Sequence, residues 1–71
     1  MKIKSGTKVR VMHKRKGTFT GYAAEDFDTE IAEFYPIKTA QFVSGMANDW
    51  NEGEIIPCRN TLCKIEVLED K

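Results

Sequence analysis

The chain is poor in the residues from which active sites are assembled. It holds one histidine, His13, and two cysteines, Cys58 and Cys63, in 71 residues. One histidine among scattered acids defines no Ser-His-Asp or Cys-His-Asn set, so no catalytic residue is assigned and the chain is read as non-enzymatic. A structural zinc site needs four ligands, and His13 with the two cysteines falls short of that number. No metal and no cofactor is therefore expected. The acidic run Glu25, Asp26, Asp28, Glu30 lacks the sixth-position glycine and closing glutamate of a calcium loop. A glycine-rich loop between a strand and a helix is also missing, which excludes nucleotide hydrolysis. No apolar run nears the roughly 20 residues that span a bilayer, so no membrane partner is expected. Met1-Lys2-Ile3-Lys4 has no hydrophobic block behind its charges, so no secretory signal is expected either. The expected compartment is the cytoplasm, where thiols stay reduced. Cys58 and Cys63 then read as small core hydrophobes.

What is present is the composition of one folded domain over residues 1–71, with 41% hydrophobic and 31% charged residues. A chain this short buries only about 60% of its unfolded surface, so its core is marginal. The net charge is zero but unevenly spread. Residues 1–16 carry seven bases and no acid, whereas residues 17–37 carry five acids and no base. Such asymmetry bears on partners and steering, not on fold.

The local patterns are those of strands. Thr7 to His13 alternates, with Val9 and Val11 on one face and Lys8 and Arg10 on the other. Lys14-Arg15-Lys16-Gly17 is a basic turn. Thr18 to Ala23 resumes β-favouring residues, and Gly21 marks a bulge or a close backbone approach. Asp26 to Glu30 reads as an acidic turn. Ile31 to Ala40 favours a strand over a helix because Pro36 would break the helix, and the proline places that strand at a sheet edge or a bulge. Gln41 to Val43 extends this strand or begins another. Ser44 to Gly53 is rich in turn formers. Glu54 to Pro57 is a short strand ended by proline, Cys58 to Leu62 is one helical turn, and Lys64 to Leu68 is a closing strand with Ile65 and Val67 inward. The expected fold is all-β, a small antiparallel barrel of five or six strands with at most one short helical turn.

Gly6-Thr7-Lys8-Val9-Arg10-Val11, Lys16-Gly17 and Gly21-Tyr22-Ala23 together resemble the KOW motif of small SH3-like barrels. The strand, turn and strand of Ile55 to Leu68 is similar to the end of such a barrel. The resemblance implies binding rather than chemistry, to RNA, to ribosomal or transcription proteins, or to peptides.

Two functional surfaces are expected from the residues. Lys14, Arg15 and Lys16, with Lys8, Arg10 and His13 on the adjoining strand, would form one basic patch able to follow a phosphate backbone. Phe19, Tyr22 or Trp50 would stack on unpaired bases, with Tyr22 and Trp50 supplying the apolar contacts to RNA, DNA or a nucleoprotein complex. Alternatively, Trp50 with Tyr22, or the acidic segment, would dock a protein as an adaptor or inhibitor. Trp50 also reads as a cap folded back on a small core. An edge strand marked by Pro36 also leaves a weak homodimer open.

Overall fold

The computed structural model describes residues 1–45 and 52–69. Seven strands follow in order: β1 (Lys2–Ile3), β2 (Lys8–His13), β3 (Gly17–Ala23), β4 (Phe27–Asp28), β5 (Phe34–Ser44), β6 (Ile55–Arg59) and β7 (Cys63–Glu69). The described residues are all-β, with no helix and hence none long and apolar enough to cross a membrane. Five strands form one antiparallel sheet in the order β6-β5-β3-β2-β7, and β1 pairs with β4 in a second, two-stranded sheet.

The β2–β3 hairpin is the centre of the large sheet. Val9 and Val11 are fully buried, opposite Gly21 and Phe19, while Lys8, Arg10 and Met12 lie on the other face opposite Tyr22, Thr20 and Thr18. The period of two alone makes this division. The inward set continues through Ala23, Tyr35 and Ile37 to Cys58 on β6 and Cys63 on β7, giving one hydrophobic cluster. Ile65 and Val67 pack against it, as their alternation predicts. At one end, Ile3 of β1 enters the core and Phe27 of β4 stacks on Tyr35, with ring centroids 5.2 Å apart.

Glycine is obligatory at two close approaches. Gly17 and Gly45 both have positive φ, at 101° and 137°, and a Cβ on Gly17 would sit 2.6 Å from the Gly45 Cα. This contact holds the turn end of the hairpin against the end of β5. A Cβ on Gly21 would meet the Lys38 carbonyl oxygen at 2.6 Å and Ile37 Cγ2 at 2.7 Å. The expected close approach is therefore present at Gly21, while the extra residues of the neighbouring bulges lie on β5: Phe19 pairs with Phe42 but Gly21 with Thr39. Bulges bend a strand and increase its twist, which curls the sheet around its small interior.

Several local expectations are corrected. Asp26 to Glu30 is not only a turn, because Phe27 and Asp28 pair with Ile3 and Lys2. Asp28 Oδ1 accepts hydrogen bonds from the terminal amine of Met1 at 3.2 Å and from the Glu30 N–H at 2.9 Å. These contacts hold its carboxyl below the usual carboxylate range, the Glu30 N–H contributing most. Pro36 is not on an edge strand, since β5 lies between β3 and β6. The Pro36 carbonyl accepts the Ala24 N–H at 2.8 Å, and the reciprocal bond that proline cannot make is replaced at the Ala24 carbonyl by the Ser5 hydroxyl at 3.3 Å. Pro57 does not end β6; it lies within this edge strand, where a missing N–H leaves no ladder unfilled. Residues 60–62 form a turn rather than a helical turn.

Gly17→Ala should cost about 2 kcal/mol or more in urea unfolding, because a backbone strand end must move and a left-handed residue gains a side chain. A loss under about 0.5 kcal/mol would show that the Gly17–Gly45 contact does not hold the hairpin.

Candidate functional site

The outward face of the sheet carries a row of side chains set by register alone. Lys8 lies opposite Tyr22, Tyr22 opposite Lys38, and Lys38 opposite Ile55, across β2, β3, β5 and β6. Tyr22 is 41% exposed in the middle of this row, with a lysine on each neighbouring strand. The row lines an open groove of about 850 Å³ whose other walls include Ser5, Ala24 and Glu52. A second depression of about 470 Å³ shares Lys8, Tyr22 and Glu52 and extends the trough toward Gln41 and Phe42.

The groove has a built rim. Buried Thr39 on β5 donates its N–H to the Glu54 carbonyl at 2.8 Å, and its Oγ1 accepts the Glu54 N–H at 3.1 Å. Its carbonyl accepts the Gly53 N–H at 2.8 Å. Three bonds from one residue thus fix the segment that carries Glu52 beside the lysines. At the opposite rim, the Gly6 N–H donates to Ala23 at 2.8 Å and the Ser5 N–H to Asp26 Oδ1 at 2.7 Å.

The basic turn lies elsewhere. Lys14, Arg15 and Lys16 are exposed beyond the far end of β2, whereas Lys8 begins that strand. Five residue steps of about 3.4 Å place the turn roughly 17 Å from the Lys8–Tyr22 pair. The single patch expected from the sequence is thus divided into a turn without Tyr22 and a groove without the turn. Arg10 lies between them on the same outward face, paired with Glu66 at 3.0 Å. Both partners are about half exposed, so the pair adds little stability and remains open to exchange.

His13 departs from the expected role on the outward face. Its position has the inward parity of Val9 and Val11, opposite Gly17 and Cys63. Its Nδ1 accepts the backbone N–H groups of Arg15 at 3.0 Å and Lys16 at 3.1 Å, so the imidazole organises the turn. The Lys14 N–H donates to the Leu62 carbonyl at 2.9 Å, tying the turn to the loop before β7. Partial burial, then the charges of Lys16 and Arg15, hold the His13 pKa below its ordinary value of 6.5.

Trp50 lies outside the described residues. In the acidic segment, Asp26 and Asp28 are engaged by backbone groups, which leaves Glu25 and Glu33 as its outward charges, with Glu30 3.7 Å from the Met1 amine. Among the described residues no cluster of three or more histidine, cysteine or acidic side chains is placed to hold a metal ion. Lys38 and the groove walls escaped sequence reasoning. The alternation of β5 puts Lys38 on the outward face, but only the register against β3 puts it beside Tyr22.

A neutral His13 is needed to accept the two turn N–H groups, and protonation is easier in the unfolded chain. The unfolded state therefore takes up a proton first as pH falls below 6.5, and stability should decrease from there down to the lower folded value. Urea unfolding midpoints should fall between about pH 7 and pH 5, and His13→Gln should flatten that slope. An unchanged slope in the variant would contradict the assignment. Comparison with protein-family models, curated proteins and solved structures found no match to this chain.

Proposed function

We propose that this chain is a non-enzymatic binding module of the SH3-like type that takes single-stranded nucleic acid, RNA or DNA, on its outward sheet face. The observation that carries this reading is the Lys8–Tyr22–Lys38 row: an exposed aromatic ring on the floor of a groove with a cation on either side. An unpaired base offers a π-face to Tyr22, and its flanking phosphates meet Lys8 and Lys38. Arg10 and the turn residues Lys14, Arg15 and Lys16 continue the positive strip along the hairpin, so a strand seated on Tyr22 would be followed toward the turn. The chain order also supports the SH3-like reading, since β2, β3, β5 and β6 form a meander and β7 returns to flank β2.

The outward face favours a nucleic acid over an apolar peptide groove. Its central positions are Lys8, Arg10, Thr18, Thr20, Tyr22 and Lys38, with Met12 the apolar one among them and Ile55 at the margin. A protein adaptor would draw instead on Trp50 or on the acidic segment, where Asp26 and Asp28 are already engaged by backbone groups.

Fluorescence anisotropy with labelled single-stranded RNA and DNA tests the reading. Tyr22→Ala should weaken binding by about 1–3 kcal/mol with little effect on the salt dependence. The pair Lys8→Ala and Lys38→Ala should shallow the log-log salt slope by about 1.4, the share of two phosphates on a single strand. Arg15→Ala with Lys16→Ala should also shallow it. Absence of binding at low salt, or binding indifferent to Tyr22, would overturn the proposal in favour of a protein partner.

A further inference from the structure

The two margins of the five-stranded sheet are unlike. Among the described residues β6 pairs only with β5, and β7 only with β2. An unpaired strand edge is a template for another strand, and native proteins blunt it with proline, bulges or charge. In an antiparallel ladder, pairs that exchange both hydrogen bonds alternate with pairs that exchange none. On β6 the phase is set by Thr39, whose N–H donates to the Glu54 carbonyl at 2.8 Å. Counting from that pair, Ile56 and Cys58 turn their backbone groups toward β5, and Ile55, Pro57 and Arg59 turn theirs away from it. Pro57 therefore removes the middle donor of that edge.

On β7 the phase is set by the Lys14 N–H, which donates to the Leu62 carbonyl at 2.9 Å. Lys64 and Glu66 then bond to Met12 and Arg10, and Cys63, Ile65 and Val67 direct their N–H and carbonyl groups away from the sheet. No proline or glycine lies in Cys63–Glu69, and among the described residues no other segment meets these outward backbone groups. The ladder is regular from Cys63 to Val67 and bulges only at Leu68, since Val9 pairs with Val67 but Lys8 with Glu69. The apolar side is also incompletely covered here. Ile65 and Val67 are half-buried, whereas Val11 and Val9 beside them on β2 are fully buried.

We infer that β7, rather than the strand carrying Pro36, is a homodimer interface: a second copy of this chain adds its own β7 antiparallel, across a two-fold axis at Ile65. The charges select that register. With Ile65 opposite Ile65 of the second copy, Lys64 faces Glu66 and Glu66 faces Lys64, while Cys63 and Val67 face each other on either side. The pairs at Cys63, Ile65 and Val67 then exchange both hydrogen bonds. Sliding the second strand by two residues, the smallest slip that keeps the outward groups matched, sets Lys64 against Lys64 or Glu66 against Glu66. Like charges directly opposite destabilise a pair. Arg10 already stands 3.0 Å from Glu66 on the inner side, so the row across the junction alternates in sign. Zero net charge leaves little long-range repulsion between copies. The interface is isologous and closes on itself. It joins two sheets into one and sets both Tyr22 rows on the same side of it.

Sedimentation equilibrium over a concentration series tests this, together with residue-resolved amide exchange. An edge from Cys63 to Val67 is short beside the roughly 1,200 Å² that stable interfaces bury, so dimer should appear only toward about 1 mM chain. Exchange at Cys63, Ile65 and Val67 should slow with concentration, while that at Lys64 and Glu66, already bonded to β2, stays constant. Lys64→Glu makes the edge wholly acidic and Glu66→Lys makes it wholly basic, so each variant alone should self-associate about tenfold more weakly. An equimolar mixture of the two should regain association as a heterodimer, which also shows that both variants fold. A chain still monomeric at about 1 mM would overturn the inference. So would association indifferent to these reversals, a mixture that does not recover, or protection gained on β6 at Ile55 and Arg59 instead. No oligonucleotide enters these measurements, so they succeed or fail apart from the nucleic-acid reading.

Discussion

The pairing register of β2 against β3 is the constraint on which both faces of this molecule depend. With Val11 opposite Phe19 and Val9 opposite Gly21, the core is filled, and the same register sets Lys8 beside Tyr22 outside. A slip of one residue would exchange the two faces entirely. Three local features oppose that slip. Gly17 packs on Gly45, His13 Nδ1 ties the turn, and Gly21 accommodates the Lys38 carbonyl. Each acts at a different point along the hairpin, so the register is fixed at its turn, along its length and against its neighbour. Among the described residues no buried side-chain nitrogen or oxygen is left without a partner, so the small core carries no unmet polar demand.

From that register the sheet acquires its curvature and its two ends acquire different characters. Extra residues on β5 bend it where it crosses β3, and Cys58 of β6 and Cys63 of β7 both enter the one core cluster. One end of the sheet is closed by the small β1–β4 pair, where Phe27 covers Tyr35 and the Met1 amine meets Asp28. The other end is finished by the basic turn. Asp26 and Asp28 are engaged at or beside the first end, while Glu25 and Glu33 stay outward and Glu66 pairs with Arg10. The charge asymmetry of the sequence is partly spent internally and partly displayed.

Much of this was legible in the residues. The alternation of Val9 and Val11 against Lys8 and Arg10 divides inside from outside without any structure, and Ile65 and Val67 repeat the lesson in the closing strand. Gly21 announced a close approach because no other residue type fits beside a neighbouring carbonyl. What was not legible depended on pairings between distant segments. Lys2–Ile3 and Phe27–Asp28 are strands only because each supplies the other's hydrogen bonds, and two residues carry no period of their own. The proline rules misplaced β5 and β6 because a missing N–H can be made good locally: the Ser5 hydroxyl serves the Ala24 carbonyl opposite Pro36, and Pro57 lies on an edge strand. The candidate site failed in the same way. Basic residues adjacent in sequence were grouped as one patch, whereas a strand carries its two ends far apart, and Lys38, thirty residues from Lys8 in sequence, is the cation that shares the groove with Tyr22.

The central claim concerns a surface, so the most direct measurement maps one. Titration of the isotopically labelled chain with a short single-stranded oligonucleotide, followed by amide and side-chain chemical shifts, locates contact residue by residue. The account predicts that the largest changes fall on Lys8, Tyr22 and Lys38, with smaller ones running along Arg10 to Lys16, while Glu25 to Glu33 stays still. Changes confined to the acidic segment or to the exposed Ile31 and Phe34, with the Tyr22 ring unmoved, would contradict it.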